Sequence, residues 1–171
     1  MNNTDILLIC EYNEWANARM LKAAATLTPE QLSKNLSSSF PSVRETLVHI
    51  YSGELIWLMR WKGISPKSAP GPNDFPTLES LQDAWKSIEM DRLNFLSKLS
   101  DEALQEVIGF ENLAGEPFEY PLWIMIHHQV NHSTHHRGQI SALLRQLDAK
   151  MESTDFTAFI REKRAKEAVP K

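Results

Sequence analysis

Apolar residues recur three and four positions apart through four long stretches of this chain, and prolines, glycines or capping residues separate the stretches. That period gives an α-helix one apolar face, and such faces become stable only by packing against one another. In the clearest case Val43, Leu47, Ile50, Trp57 and Trp61 form a seam, opened by a capping box at Ser42-Val43-Arg44-Glu45 and closed by Gly63. The first stretch, residues 4–26, places Ile6, Ile9, Cys10, Ala16, Met20 and Ala24 on one face. The third, opened by Thr77, carries Leu78, Leu81, Trp85, Ile88, Phe95 and Leu99. A fourth is predicted to start at Pro121 and reach about Leu147.

Shorter elements fill the gaps. Thr28-Pro29-Glu30-Gln31 has the N-cap, first-position proline and reciprocal glutamine of a short helical turn. Residues 65–76 hold four prolines and are predicted to be a long crossover or lid. Val107, Ile108 and Phe110, then Phe118 and Tyr120 beyond Ala114-Gly115-Glu116, form a small hairpin pattern. A short helix over about 153–166 ends the chain. The expected fold is all-α: a four-helix bundle with a long crossover loop, a hairpin before the fourth helix and a C-terminal helix, in one domain spanning 1–171.

Bulk properties narrow the function. A net charge of −4 gives no general attraction for nucleic acid. The basic residues Arg161, Lys163, Arg164 and Lys166 read as a solvated helix end. Cys10 is the only cysteine and lies in an apolar run, so it is predicted to be core. The N-terminus lacks the basic region of a signal peptide, and no apolar stretch approaches the roughly 20 residues of a membrane span. A cytoplasmic protein without membrane or nucleic-acid partners is expected.

Five of the six histidines fall on the predicted fourth helix. His128, His132 and His136 form one stripe, whereas His135 is turned about 60° from His132 and His127 further still. Histidines four apart either satisfy one another inside a bundle or present two ligands to a metal. His49, in the middle of the second helix, supplies a third nitrogen if the second and fourth helices are neighbours. Gly53, one turn on, costs about 1 kcal/mol against Ala in a helix and leaves space either for a ligand or for close packing. Three imidazoles would leave positions open for water or substrate and suit Zn, Ni, Co or Fe. Metal affinity is expected to weaken as pH falls through about 6.5, the ordinary histidine pKa.

Glu54, Asn131, Gln139 and Tyr12 are candidate supporting groups. Glu54 lies on the apolar seam, where it either serves the site or pairs with Arg137 or another cation. No zincin glutamate follows His132, and no P-loop, dinucleotide fingerprint, G-x-S-x-G or CxxC occurs.

The element Asn131-His132-x-x-x-His136-Arg137-Gly138-Gln139 resembles the signature of the DinB-like metal-binding four-helix bundles. Tyr12-Asn13-Glu14-Trp15-Ala16-Asn17, His49-x-x-x-x-Glu54-x-x-Trp57 and the hairpin-like stretch share in the resemblance, which covers about residues 4–165. It implies one divalent metal held by His49, His132 and His136, and commonly a homodimer. It also implies activities that include thiol-dependent S-transfer and isomerisation, with other members regarded as damage-inducible proteins or metal-dependent hydrolases. The expected function is transfer of a low-molecular-weight thiol to a small electrophilic substrate at the metal. The alternatives are hydrolysis by an activated water, with Glu54 or His135 moving the proton, and a non-catalytic metal-binding stress-response protein.

Overall fold

The structure, a computed structural model, describes residues 1–168. The elements are α1 (Asn3–Ala24), α2 (Pro29–Leu32), α3 (Val43–Trp61), α4 (Leu78–Leu96), β1 (Val107–Glu111), β2 (Pro117–Pro121), α5 (Leu122–Gln146) and α6 (Phe156–Glu167), with short 3-10 turns at Pro72–Asp74 and Ala103–Gln105. The four long helices, α1, α3, α4 and α5, form the expected four-helix bundle.

Local sequence sets the boundaries. Asn2 caps α1 by accepting from the Asp5 amide, and Asp5 returns the bond to the Asn2 amide. Thr28 and Gln31 make the same reciprocal pair around α2. Ser42 caps α3, but the Glu45 carboxylate takes the Ser42 hydroxyl, so the reciprocal half of the expected box is not made. Pro121 differs more. It ends β2 opposite Val107 with an extended ψ of 138°, and α5 begins one residue later.

The connections fix the bundle's direction. The segment after α3 folds back along that helix: the Ser52 hydroxyl donates to the Pro70 carbonyl, and Arg44 donates to the carbonyls of Pro72 and Phe75. α4 therefore starts beside the beginning of α3 and runs parallel to it, with Tyr51 against Trp85 and Trp61 against Phe95. α5 runs antiparallel to α3, since His49 meets His136 while Trp57 meets His128. α1 is antiparallel to α4, because Asn3 bonds the carbonyls of Leu96 and Leu99 and Glu14 pairs with Arg92. Two adjacent parallel pairs result, α1 with α5 and α3 with α4. The proline-rich crossover is what a parallel neighbour requires.

One apolar core joins all four long helices, including Ile6, Met20, Leu47, Ile50, Trp85 and Ile126. Cys10 belongs to it, as expected, and burial pushes its thiol up to about 12. The hairpin pairs Phe110 with Phe118, turns at Gly115 with a φ of +84°, and packs Phe110 on Trp57 of α3. α6 covers Tyr12 and Trp15 of α1 with Phe156 and Phe159. No helix among the described residues is long and apolar enough to cross a membrane.

Candidate metal centre

Because α3 and α5 are antiparallel neighbours, His49 faces both His132 and His136. The His49 Nε2 atom lies 3.1 Å from His132 Nε2 and 3.0 Å from His136 Nε2. Metal–nitrogen bonds of about 2.1 Å place neighbouring ligand nitrogens roughly 3.0–3.4 Å apart, so one ion between the three atoms would satisfy that spacing. Among the described residues these three form a group whose ligand atoms all lie within 4.8 Å of one another, and no carboxylate or thiol belongs to it.

The hydrogen bond to His136 favours a lone pair at that point. His136 Nδ1 is 2.8 Å from Gln139 Oε1, which accepts only, so a neutral His136 carries its proton on Nδ1 and a lone pair on Nε2. His49 Nε2 faces two other ring nitrogens and can donate to one at most. Three crowded imidazoles thus lack the protons to satisfy each other, and a cation would supply what is missing. The donor set fits a divalent transition metal. His132 is placed by Gly53, since a Cβ there would stand 2.9 Å from His132 Cε1. Of the two explanations for Gly53, close packing holds: the His132 ring of the facing helix, itself a candidate metal ligand, fills the space.

Desolvation first, and the neighbouring rings second, hold His49 and His132 down to about 4. His136 is also lowered by burial, against the raising effect of its bond to Gln139. Proton competition therefore begins below the pH of about 6.5 expected from an isolated histidine.

Glu54 is fully buried on α3 and accepts five hydrogen bonds. Asn13 and Asn17 Nδ2 and Ser133 Oγ donate to Oε1 at 2.7, 2.8 and 2.9 Å; Trp85 Nε1 and Arg92 Nη1 donate to Oε2 at 3.0 and 2.9 Å. Burial alone would raise its pKa, but Arg92 and the amide donors outweigh burial and lower it. A carboxylate so engaged is a poor proton shuttle, and none of its bonds reaches the three rings. Its ion pair is with Arg92, not Arg137. Arg137 instead donates to Asn13 and Asn17 Oδ1 at 2.6 and 2.8 Å, and those two amides link it to Glu54.

The other candidates separate clearly. Gln139 supports His136 as described. Asn131 bonds exposed His127, and the Tyr12 hydroxyl donates to the Thr154 carbonyl, so neither touches the cluster. His135 is exposed outside it, its ring edge-on to His136 at 4.9 Å between centroids. His128 packs on Trp57, with its ring centroid 6.3 Å from that of His132.

Sequence reasoning missed Arg92, Trp85 and Ser133. Arg92 was visible as a charge four residues after Ile88 on the apolar face of α4, the same anomaly that marked Glu54. It also missed Phe40, whose ring stacks on His49 at 4.0 Å from an irregular segment that has no periodicity to read.

The sequence model of the DinB family matches residues 1–167. The chain belongs to the DinB family. It is 26% identical over 157 residues to Protein DinB of Bacillus subtilis strain 168, covering 88% of this chain and 90% of that protein. It is likewise 26% identical over 150 residues to the uncharacterized protein YizA of the same strain, with 85% and 90% covered. A DinB-like protein of Bacillus cereus shares the fold with a TM-score of 0.60 at 20% identity, over 82% of this chain and 91% of that one. YfiT of Bacillus subtilis does so with a TM-score of 0.65 at 18% identity, over 83% and 87%. YfiT is described as a probable metal-dependent hydrolase with an unusual four-helix bundle topology.

Proposed function

We propose that this DinB-family protein is a metal-dependent transferase that joins a low-molecular-weight thiol to a small electrophile. The observation that carries the reading is the convergence of three imidazole nitrogens, with His132 and His136 Nε2 at 3.1 and 3.0 Å from His49 Nε2, in a cluster without carboxylate or thiol. A divalent transition metal (Zn, Ni, Co or Fe) held by His49, His132 and His136 would act there as a Lewis acid, lowering the pKa of a thiol or water at the positions the protein leaves open.

The chain's own residues supply placement. Gln139 fixes the tautomer of His136, Gly53 admits the His132 ring, and Phe40 shields one face of His49. Cys10 cannot serve as nucleophile, being buried in the core with its thiol held protonated. Glu54 is committed to its five donors, which favours a nucleophile that needs no carboxylate base. His135, exposed beside His136, is the residue left to exchange a proton with solvent or leaving group.

Hydrolysis is the second reading, favoured by the description of YfiT, whose fold this chain shares. Under it the same three rings serve water activation, and His135 protonates the leaving group. A homodimer fits the apolar Met90 and Leu93, 68% and 58% exposed on α4. The lone thiol suits a reducing cytoplasm.

The test pairs elemental analysis with turnover. Wild type is expected to carry one divalent metal per chain, and His49→Ala, His132→Ala and His136→Ala each to lose it. Thiol consumption by monochlorobimane should accelerate with wild type and stop with chelator. Metal-dependent ester cleavage without any thiol effect would transfer the assignment to hydrolysis. Retention of metal by His49→Ala would sink the three-histidine assignment.

A further inference from the structure

We propose that Arg60 and the hairpin form a monoanion pocket that takes the carboxylate end of a small aromatic or apolar molecule. Its identification with the molecule reacting at the histidines rests on the function proposed above; the pocket itself does not. Arg60 is 7% exposed, and its Nε has no hydrogen-bond partner. The Nε atoms of Arg92 and Arg137 also lack partners, but their terminal nitrogens are used. Arg92 pairs with Glu54 and Glu14, and Arg137 donates to Asn13, Asn17 and Thr134, whereas Arg60 makes no side-chain hydrogen bond among the described residues. Among the described residues no carboxylate pairs with Arg60. A guanidinium cannot shed its charge at ordinary pH, and burying it without an anion is unfavourable.

The group points into a cavity of about 340 Å³, which it lines with Trp57, Phe110, Phe118, Tyr120 and His128. Its Cζ lies 4.7 Å from the centroids of both Trp57 and Phe110. Those rings offset part of its desolvation but accept no hydrogen bond in the plane of the fork. No Asp or Glu lines the cavity. The position also explains the exposed aromatics of β2: Phe118 and Tyr120, 39% and 41% exposed, form its outer wall.

The cavity lies along the same pair of helices as the histidines. Gly53 touches His132, and Arg60 lies seven residues further along α3, about 10 Å at 1.5 Å per residue. On the facing helix His128 lines the cavity one turn before His132. A molecule with a carboxylate on Arg60 and a flat body between the aromatic walls would therefore extend toward the centre. One unpaired positive charge matches a monoanion, and the planar fork matches a carboxylate's two oxygens. A phosphate dianion would leave a second charge unmatched in apolar surroundings.

The probes are 2-naphthoate and its neutral counterpart 2-naphthamide, titrated calorimetrically into wild type, Arg60→Gln, Arg60→Lys and His136→Ala. Wild type is expected to bind naphthoate at least tenfold more tightly than naphthamide. Arg60→Gln should bring the ratio near one, and Arg60→Lys should keep part of the preference. His136→Ala should keep it in full, which separates loss of the metal centre from loss of the pocket. Should Arg60→Gln fail to fold, the wild-type ratio and naphthoate quenching lost in Trp57→Phe still decide. Equal binding of the two probes by wild type, or a preference that survives Arg60→Gln or vanishes in His136→Ala, overturns the assignment. Intact binding with no thiol transfer would instead count against the proposed function alone.

Discussion

Gly53 and His132 show how a single missing methyl group can place a reactive ring. A Cβ on Gly53 would stand 2.9 Å from His132 Cε1, closer than Cβ atoms approach other groups, and a tight 3.1 Å from Nδ1. Two effects of Gly53→Ala therefore oppose each other. Alanine favours a helix interior by about 1 kcal/mol, while the displaced ring leaves the point where the three nitrogens meet. The variant is expected to unfold at the same or higher denaturant concentration without metal, yet to bind metal at least tenfold more weakly in chelator competition. Unchanged affinity would mean that His132 is held by something other than this contact.

At the scale of an element, α4 carries no candidate ligand yet shapes the electrostatics of the interior. Its inward face alternates Trp85, Ile88 and Arg92, and Glu89 sits beside that row. Burial first, then Glu14 and Glu54, push Glu89 up to about 7, against the opposing effects of Arg92 and Lys86. A folded-state pKa above the unfolded value of about 4.5 means that the native state binds the extra proton between those two limits. Its contribution to stability is thus fully present below pH 4.5 and is lost as pH rises through 7. Glu89→Gln should match wild type near pH 4.5 and exceed it at pH 8 by on the order of 1 kcal/mol, after allowance for partial solvent screening. Thermal unfolding at the two pH values checks this; equal differences at both would remove Glu89 as the cause. The hairpin is the other informative element. Its alternation was readable in the sequence, but its role as a cavity wall was not, because strands report which face is apolar and not what lies opposite.

Across the whole molecule, Glu54 ties the bundle together. It stands on α3 and accepts from Asn13 and Asn17 of α1, Trp85 and Arg92 of α4, and Ser133 of α5. Ser133 adjoins His132, so the carboxylate that fixes the relative setting of four helices also fixes the turn bearing a candidate ligand. Glu54→Gln replaces an acceptor by an amide facing donors and leaves Arg92 with only the half-buried Glu14 as carboxylate partner, which is expected to cost about 3 kcal/mol. Urea unfolding at pH 7 measures it, and a loss under 1 kcal/mol would contradict the role given to this network. The folded-state pKa of Glu54 is depressed, so the stability it confers is present above about pH 4.5 and disappears as pH falls through that lowered value.

The sequence by itself determined the helices, their apolar faces, the hairpin and the set of histidines able to meet. Each of these follows from periods of 3.6 or 2 residues and from capping chemistry, which are local. Glu54 was visible as a charge on an apolar seam, but its partner was not, because the choice between Arg92 and Arg137 depends on which helices adjoin. Only the tertiary structure made α3 and α4 parallel, seated the crossover along α3, set α3 against α5 so that His49 reaches His132 and His136, and left Arg60 facing an aromatic cavity. Those are distances between residues far apart in the chain. Helical period fixes the direction in which a side chain points along its own helix, and only packing decides what stands in front of it.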